Sequence, residues 1–183
     1  ESLTTEKTKA VVAVDYTGQS VELDRLLAHC RKHNLVLIED GAHVIGTSYN
    51  GKKNGSIADM TTLSFHPVKT VTGGEGGAVL TNSEEYYQKL LLYRSHGITK
   101  NPAKMEHEPD GPWYYEQVAL GMNYRMTDMQ AALIISQLDK LPLFMKRRKE
   151  IVKAYDEAFS KLPQLFVQKE IPQSDTTRHL YIL

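Results

Sequence analysis

The chain has 183 residues, enough to bury one sizeable core, and its 22 lysines and arginines equal its 22 aspartates and glutamates. Without a net basic field, neither nucleic acid nor an anionic membrane surface is favoured, which leaves a small molecule or another protein as partner. Hydrophobic residues make up 41%, as in a soluble globular domain, and no apolar run approaches the roughly 20 residues of a membrane helix.

The first residues, Glu1 to Lys9, are polar and charged, unlike a signal peptide. Ala10 to Val14 and Leu35 to Ile38 are unbroken apolar runs, the pattern of parallel strands covered on both faces. Between them Leu23, Leu26, Leu27 and Cys30 fall at helical spacing, so a helix over about Glu22 to His33 lays one stripe on the sheet as a right-handed βαβ unit. Cys30, the single cysteine, reads as a buried thiol of a cytoplasmic protein. Thr47 to Tyr49 followed by Asn50-Gly51 and Asn54-Gly55 predicts a small hairpin or paired turns. Thr61 to Phe65 and Ala78 to Thr81 are further strands, joined through Gly73 to Gly77 by a connection too short for a crossover helix.

Asn82 or Ser83 can cap a helix that runs to about Ser95 and stops at Gly97, after which Thr99 to Pro112 reads as loop. Thr127 to Gln130 has the capping-box form, and Ala131, Ile134, Ile135, Leu138 and Leu141 follow at helical spacing. Pro142 starts a second helix with Phe144, Ile151, Tyr155, Ala158, Phe159 and Leu162 on one stripe. Gln164 to Leu183 reads as a strand with a cut end.

In open α/β sheets ligands sit beyond the carboxyl ends of the strands. There the sequence places Asp15, then Glu39-Asp40, then Ser64 with His66 and Lys69. Taken singly, strand-end acids are mostly solvated or cap a turn, and lysines are mostly surface charges. Two acids with a downstream serine and lysine also suit a magnesium-binding phosphoacceptor module, a signalling domain without catalysis. No histidine spacing here reads as a metal-ligand set, and neither glycine-rich stretch has the form of a dinucleotide loop or a P-loop.

The neighbourhood of the lysine is more specific. Glu39-Asp40-Gly41-Ala42-His43, Ser64-Phe65-His66-Pro67-Val68-Lys69, Gly74-Glu75-Gly76-Gly77-Ala78 and Leu120-Gly121-Met122-Asn123-Tyr124-Arg125-Met126-Thr127-Asp128 occur in the order and spacing of the DegT/DnrJ/EryC1/StrS sugar aminotransferases, which the chain resembles from Val11 onward. The wording around Lys69, with Trp113 to Gln117, is most similar to the transaminases of UDP-linked amino sugars in pseudaminic acid synthesis. The resemblance implies a fold-type-I α/β/α sandwich with a mixed, mostly parallel sheet. Residues 1–140 would form part of a pyridoxal-phosphate-binding large domain, and 141–183 a linking helix and the start of a small domain.

The same resemblance implies pyridoxal 5'-phosphate as cofactor, glutamate as amino donor, a nucleotide-linked 4-ketosugar as acceptor, and a homodimer with shared active sites. Lys69 would carry the cofactor as a Schiff base and then move a proton. Asp40 would keep the ring nitrogen protonated, Ser64 would hold the phosphate, and His43, where the family often has glutamine, would meet the ring or its phenolic oxygen. Asn123 would reach the phosphate in the neighbouring subunit with Arg125 close by, while His66, Arg125 and Tyr16 would line the substrate side. The family's sugar dehydratases, the alternative reaction, carry histidine at the lysine position. Family members are considerably longer, so the 183 residues alone are expected to be inactive.

Overall fold

The computed structural model describes residues 2–183, so Glu1 of the polar N-terminal stretch lies outside it. In chain order the elements are β1 (Ala10–Val14), α1 (Leu23–Lys32), β2 (Val36–Asp40), β3 (Ser48–Tyr49), β4 (Lys52–Lys53), β5 (Met60–Ser64), β6 (Gly77–Leu80), α2 (Glu84–Arg94), β7 (Ile98–Thr99), β8 (Glu116–Gln117), α3 (Asp128–Asp139), α4 (Leu141–Phe159) and β9 (Ser174–Asp175). They group into two compact units, residues 1–81 with 128–183, and residues 82–127.

In the first unit the sheet runs in the order β1, β2, β5, β6. β1, β2 and β5 are parallel and β6 returns antiparallel, an α/β sheet that is mixed and mostly parallel. Leu23 and Cys30 of α1 are buried against Ala13, Leu35, Leu37, Tyr49 and Ala58, with Leu26 and Leu27 packed at the margin. The helix forms because its apolar stripe has this sheet face to cover, and Asp24 in its first turn and Arg31 and Lys32 in its last suit the helix dipole. The opposite face is not covered over β1: Val12 and Val14 are 61% and 52% exposed. The expectation of two covered faces therefore holds on one side of β1 only, since α1 is the helix packed against that strand.

Asn50 and Gly51, both at positive φ, turn β3 into β4 as the Asn-Gly signal implies. The β5 to β6 connection is pinned at its base, where Phe65 N donates to Gly76 O (2.8 Å) and Gly73 N to Phe65 O (3.0 Å), so Lys69 stands on a short loop with fixed ends.

α3 and α4 form where the periodicity puts them, but their stripes are poorly covered. Ile134 is buried, whereas Ile135 is 62%, Leu138 40% and Tyr155 45% exposed. α4 stops at Phe159 rather than Leu162, because Pro163 disfavours helical backbone in the residue before it. The expected terminal strand shrinks to Ser174 and Asp175, paired with β3, since Pro172 supplies no N–H and the following residues hydrogen-bond elsewhere.

In the second unit Ser83 caps α2, its hydroxyl accepting from Tyr86 N (3.3 Å). Gly97 ends it at φ +69, with its N–H on Leu92 O (2.9 Å). The loop expected over Thr99 to Pro112 lies between β7 and β8, which pair antiparallel.

Candidate active site

The parallel register sets Val14 and Thr62 beside Asp40. Side chains alternate across strands, so Val14, Asp40, Thr62 and Ser64 share the face opposite α1. Asp40 is half-buried at the end of β2. Its Oδ1 accepts from Ala42 N (3.2 Å), and its second oxygen receives no hydrogen bond from the described residues.

His43 stands on the turn after β2, where the backbone N–H of Thr17 donates to its Nδ1 (3.3 Å). A backbone N–H can only donate, so Nδ1 carries the lone pair and the neutral ring keeps its proton on Nε2. Burial and then the charge of Lys69 push His43 below the ordinary histidine range, with Asp40 opposing. Lys69 likewise acts on His179, so Asp40, His43, Lys69 and His179 share one electrostatic neighbourhood. The Lys69 ammonium makes no hydrogen bond or ion pair within the described residues. Ser64 Oγ accepts from His66 N (3.4 Å), which leaves its hydroxyl proton for another acceptor. Tyr16 lies with its ring 5.8 Å from His43, while His66 is exposed and reaches Glu75 at 3.9 Å.

Asn123 and Arg125 belong to the second unit. Arg125 Nη2 donates to Asn123 Oδ1 (3.3 Å) and lies 3.5 Å from His96 Nε2. Both residues are exposed.

Two groups of buried polar residues escape the motif reading. Asp15 and Glu39, at 1% and 0% exposure, are the reverse of solvated strand-end acids. Asn54 Nδ2 donates to Asp15 Oδ2 (3.0 Å), Ser20 Oγ (2.9 Å) and Glu39 Oε1 (2.6 Å). Thr61 Oγ1 and Gly55 N also donate to Glu39. Burial, foremost, and the Glu39 carboxylate push Asp15 up to about 8. The one sequence signal was the pair of acids at neighbouring strand ends.

The second group is the tail. Thr176 Oγ1 donates to Gly18 O (2.7 Å), Thr177 Oγ1 to His43 O (3.3 Å) and Leu180 N to Thr17 O (3.1 Å). His179, 8% exposed, lays its ring 4.5 Å from that of His43 and places Nδ1 3.4 Å from Thr70 Oγ1. Gly18, at φ +96, is required here, since a Cβ would stand 2.8 Å from Thr177 Oγ1 and 2.9 Å from His179 N. No period or motif in the tail announces this.

The reading that no histidine spacing suits a metal overlooks one pair: His29 and His33 stand as H-x-x-x-H, with rings 4.6 Å apart. Among the described residues no group of three or more His, Cys, Asp or Glu could hold a metal ion, and no helix is long and apolar enough to cross a membrane.

The sequence profile of the DegT/DnrJ/EryC1/StrS aminotransferase family matches residues 1–183. The chain belongs to this family. It is 42% identical over 183 residues to an uncharacterised protein of Methanocaldococcus jannaschii, covering 100% of this chain and 47% of that one. It is 38% identical over 181 residues to the UDP-4-amino-4,6-dideoxy-N-acetyl-beta-L-altrosamine transaminase of Helicobacter pylori, covering 99% and 46%. The chain thus spans about half the length of these relatives.

Among solved structures, Helicobacter pylori PseC, an aminotransferase of pseudoaminic acid biosynthesis, superposes with a TM-score of 0.89 at 37% identity, covering 98% of this chain and 46% of PseC. The Streptococcus pneumoniae protein Spr1654 superposes in its PLP-form with a TM-score of 0.85 at 32% identity, covering 97% and 48%, and it is also known in a PMP-form. Family aminotransferases use pyridoxal phosphate, and the functional groups in this chain fit that molecule. They include an amine, a carboxylate oxygen, an imidazole N–H and a hydroxyl proton, none of them engaged by another side chain or backbone group among the described residues.

Proposed function

We propose that the protein carrying this chain transfers an amino group from glutamate to a nucleotide-linked 4-ketosugar with the help of pyridoxal phosphate, and that it works as a cytoplasmic homodimer. The observation that carries the reading is the convergence of Asp40 and His43, at and after the carboxyl end of β2, with Lys69, after β5, each with a functional atom unused among the described residues. Bound there, pyridoxal phosphate would supply the electron sink that lets a proton leave carbon.

Lys69 is the covalent anchor, on a loop pinned at Phe65 and Gly73. With pyridoxal phosphate bound, the Lys69 Nζ would be the group able to take the proton from the donor carbon and return it. The Asp40 carboxylate, partly withdrawn from water, would keep the ring nitrogen of the bound group protonated more strongly than a solvated carboxylate would. Ser64 Oγ–H would hold the phosphate of the bound group, and His43 Nε2–H would meet the ring's phenolic oxygen. Asn123, with Arg125 beside it, serves the phosphate in the partner subunit, and Tyr16 and His66 border the substrate. Lysine rather than histidine at position 69 argues against the dehydratase reaction. The identity to transaminases of UDP-linked 4-amino sugars supports a UDP-linked acceptor.

The test uses the full-length protein. Incubation with pyridoxal phosphate, borohydride reduction and peptide mapping are expected to place the pyridoxyl group on Lys69. Labelling of another lysine, or no chromophore, overturns the assignment. With glutamate and a UDP-linked 4-ketosugar, the 4-amino sugar and 2-oxoglutarate are expected; a deoxysugar without an amino group overturns the reaction class.

A further inference from the structure

We propose that Thr17 and His179 are positioning residues that lock His43 as a neutral Nε2–H tautomer, so that this ring presents only a hydrogen-bond donor toward the bound group. The inference deepens the proposed function and rests on it for the identity of that group, but not for the lock itself.

Thr17 is the first anchor. It is β-branched, 1% exposed, and sits at φ +68, a left-handed conformation that such residues rarely adopt. Backbone strain of this kind persists only where surrounding contacts over-determine it. Here Thr17 N donates to His43 Nδ1 at 3.3 Å, and Thr17 O accepts from Leu180 N at 3.1 Å. The strained residue is therefore clamped between the ring it fixes and the tail.

His179 is the second. It arrives 136 positions after His43 in the chain, yet its ring lies 4.5 Å from that ring at 38° and its Nδ1 3.4 Å from Thr70 Oγ1. It therefore links His43 to the residue next to Lys69. Thr177 Oγ1 on His43 O, at 3.3 Å, fixes the backbone of the same histidine.

Charge works the same way. The titratable groups around the pair are Lys69 and Asp40 at His43, and Arg148 and Lys69 at His179. The Tyr16 ring also lies 5.8 Å from that of His43. Burial, foremost, and the Lys69 charge disfavour a proton on His43, with Asp40 the opposing acid, while burial, His43, Arg148 and Lys69 disfavour one on His179. An Nδ1 already committed to Thr17 leaves Nε2–H as the outward-facing group, which suits an anionic oxygen.

The test is nitrogen NMR of the full-length protein with 15N-labelled histidine, without and with pyridoxal phosphate. In the wild type between pH 6 and 8, His43 is expected to show a pyridine-type Nδ1 and a pyrrole-type Nε2, with at least an about fivefold excess of that tautomer, the ratio one net hydrogen bond sets. His179→Ala is expected to lower this excess and to move the His43 titration up toward the ordinary range. His179→Phe, which keeps a ring against His43, is expected to restore most of the excess. A wild-type His43 that is protonated on Nδ1, or that titrates as an ordinary histidine, overturns the proposal whatever the variants do. A His179→Ala protein with unchanged tautomer ratio and titration removes His179 from it. If the lock is present but pyridoxal phosphate neither labels Lys69 nor shifts the His43 signals, the lock stands and the proposed cofactor role falls.

Discussion

Replacing Asp15 with asparagine isolates one buried titration. Asp15 is 1% exposed, receives hydrogen bonds from Val21 N (2.8 Å) and Asn54 Nδ2 (3.0 Å), and is raised from 3.8 to about 8 by burial and by Glu39. The folded protein thus holds a proton that the unfolded chain has released, and the stability this contributes is complete below about pH 4 and lost as pH rises through 8. His179, lowered from 6.5 to about 4, acts with the opposite sign, its contribution growing as pH rises from 4 to 6.5. Between pH 6.5 and 8 the histidine is silent and Asp15 is not. Across that window the wild type is expected to lose about 1.5 kcal/mol of unfolding free energy relative to Asp15→Asn, from ~1.4 kcal/mol per pH unit for one proton, tapering near the folded value. Urea titrations at four pH values in this range, on both proteins, measure the difference. A difference that stays flat, or that grows in favour of the wild type as pH rises, refutes the account of Asp15 as a carboxyl held protonated by burial and Glu39.

Asp40→Asn in the full-length protein is expected to retain borohydride labelling at Lys69 but to lower turnover by several orders of magnitude; steady-state rates near wild type would show that another acid serves the ring. Leu37→Ala, at a fully buried position in the main core, is expected to cost about 2–5 kcal/mol in denaturant unfolding, and a loss below 1 kcal/mol would mean the α1 face repacks. Gly18→Ala, whose Cβ would stand 2.8–3.0 Å from Thr177, His179 and His43, is expected to lower the melting temperature. It should also speed amide exchange in the tail from Thr176 to Leu180, and unchanged exchange would separate the tail from the His43 turn.

The parts of the fold that could be read from sequence are those where one element faces one surface. β1, β2 and α1 carry the right period because a helix stripe and a strand run each meet a single neighbour, and Leu23 and Cys30 land in the core accordingly. The same rule misleads on α3 and α4, whose apolar positions repeat correctly while Ile135 and Tyr155 remain 62% and 45% exposed. Periodicity states that a face is apolar, not that this chain supplies its cover. The candidate site was legible through its motifs, since Asp40, His43, Ser64 and Lys69 were picked out by wording and order. Spacing alone left them indistinguishable from surface acids and lysines.

What stayed hidden is polar and long-range. Asn54 was read as a turn residue, and its side chain instead joins two acids 24 positions apart in the chain, Asp15 and Glu39. Nothing local distinguishes a buried carboxyl from a solvated one, because burial is decided by which turn closes over the strand ends. The tail makes the same point with larger consequence. Thr176, Thr177 and His179 lack an apolar stripe because their contacts are hydrogen bonds to Gly18, His43 and Thr70. Such contacts fix position without leaving a hydrophobic pattern. A site that must hold a neutral imidazole beside an ammonium and a carboxylate needs rigid polar walls, and in this chain those walls come from residues far apart in sequence. On the proposed reading the tautomer and charge of His43 depend on the assembled Thr17 turn, the tail and the Lys69 loop, and substitutions at Thr17, Gly18 or His179 should register at His43 before they register in the stability of the sheet.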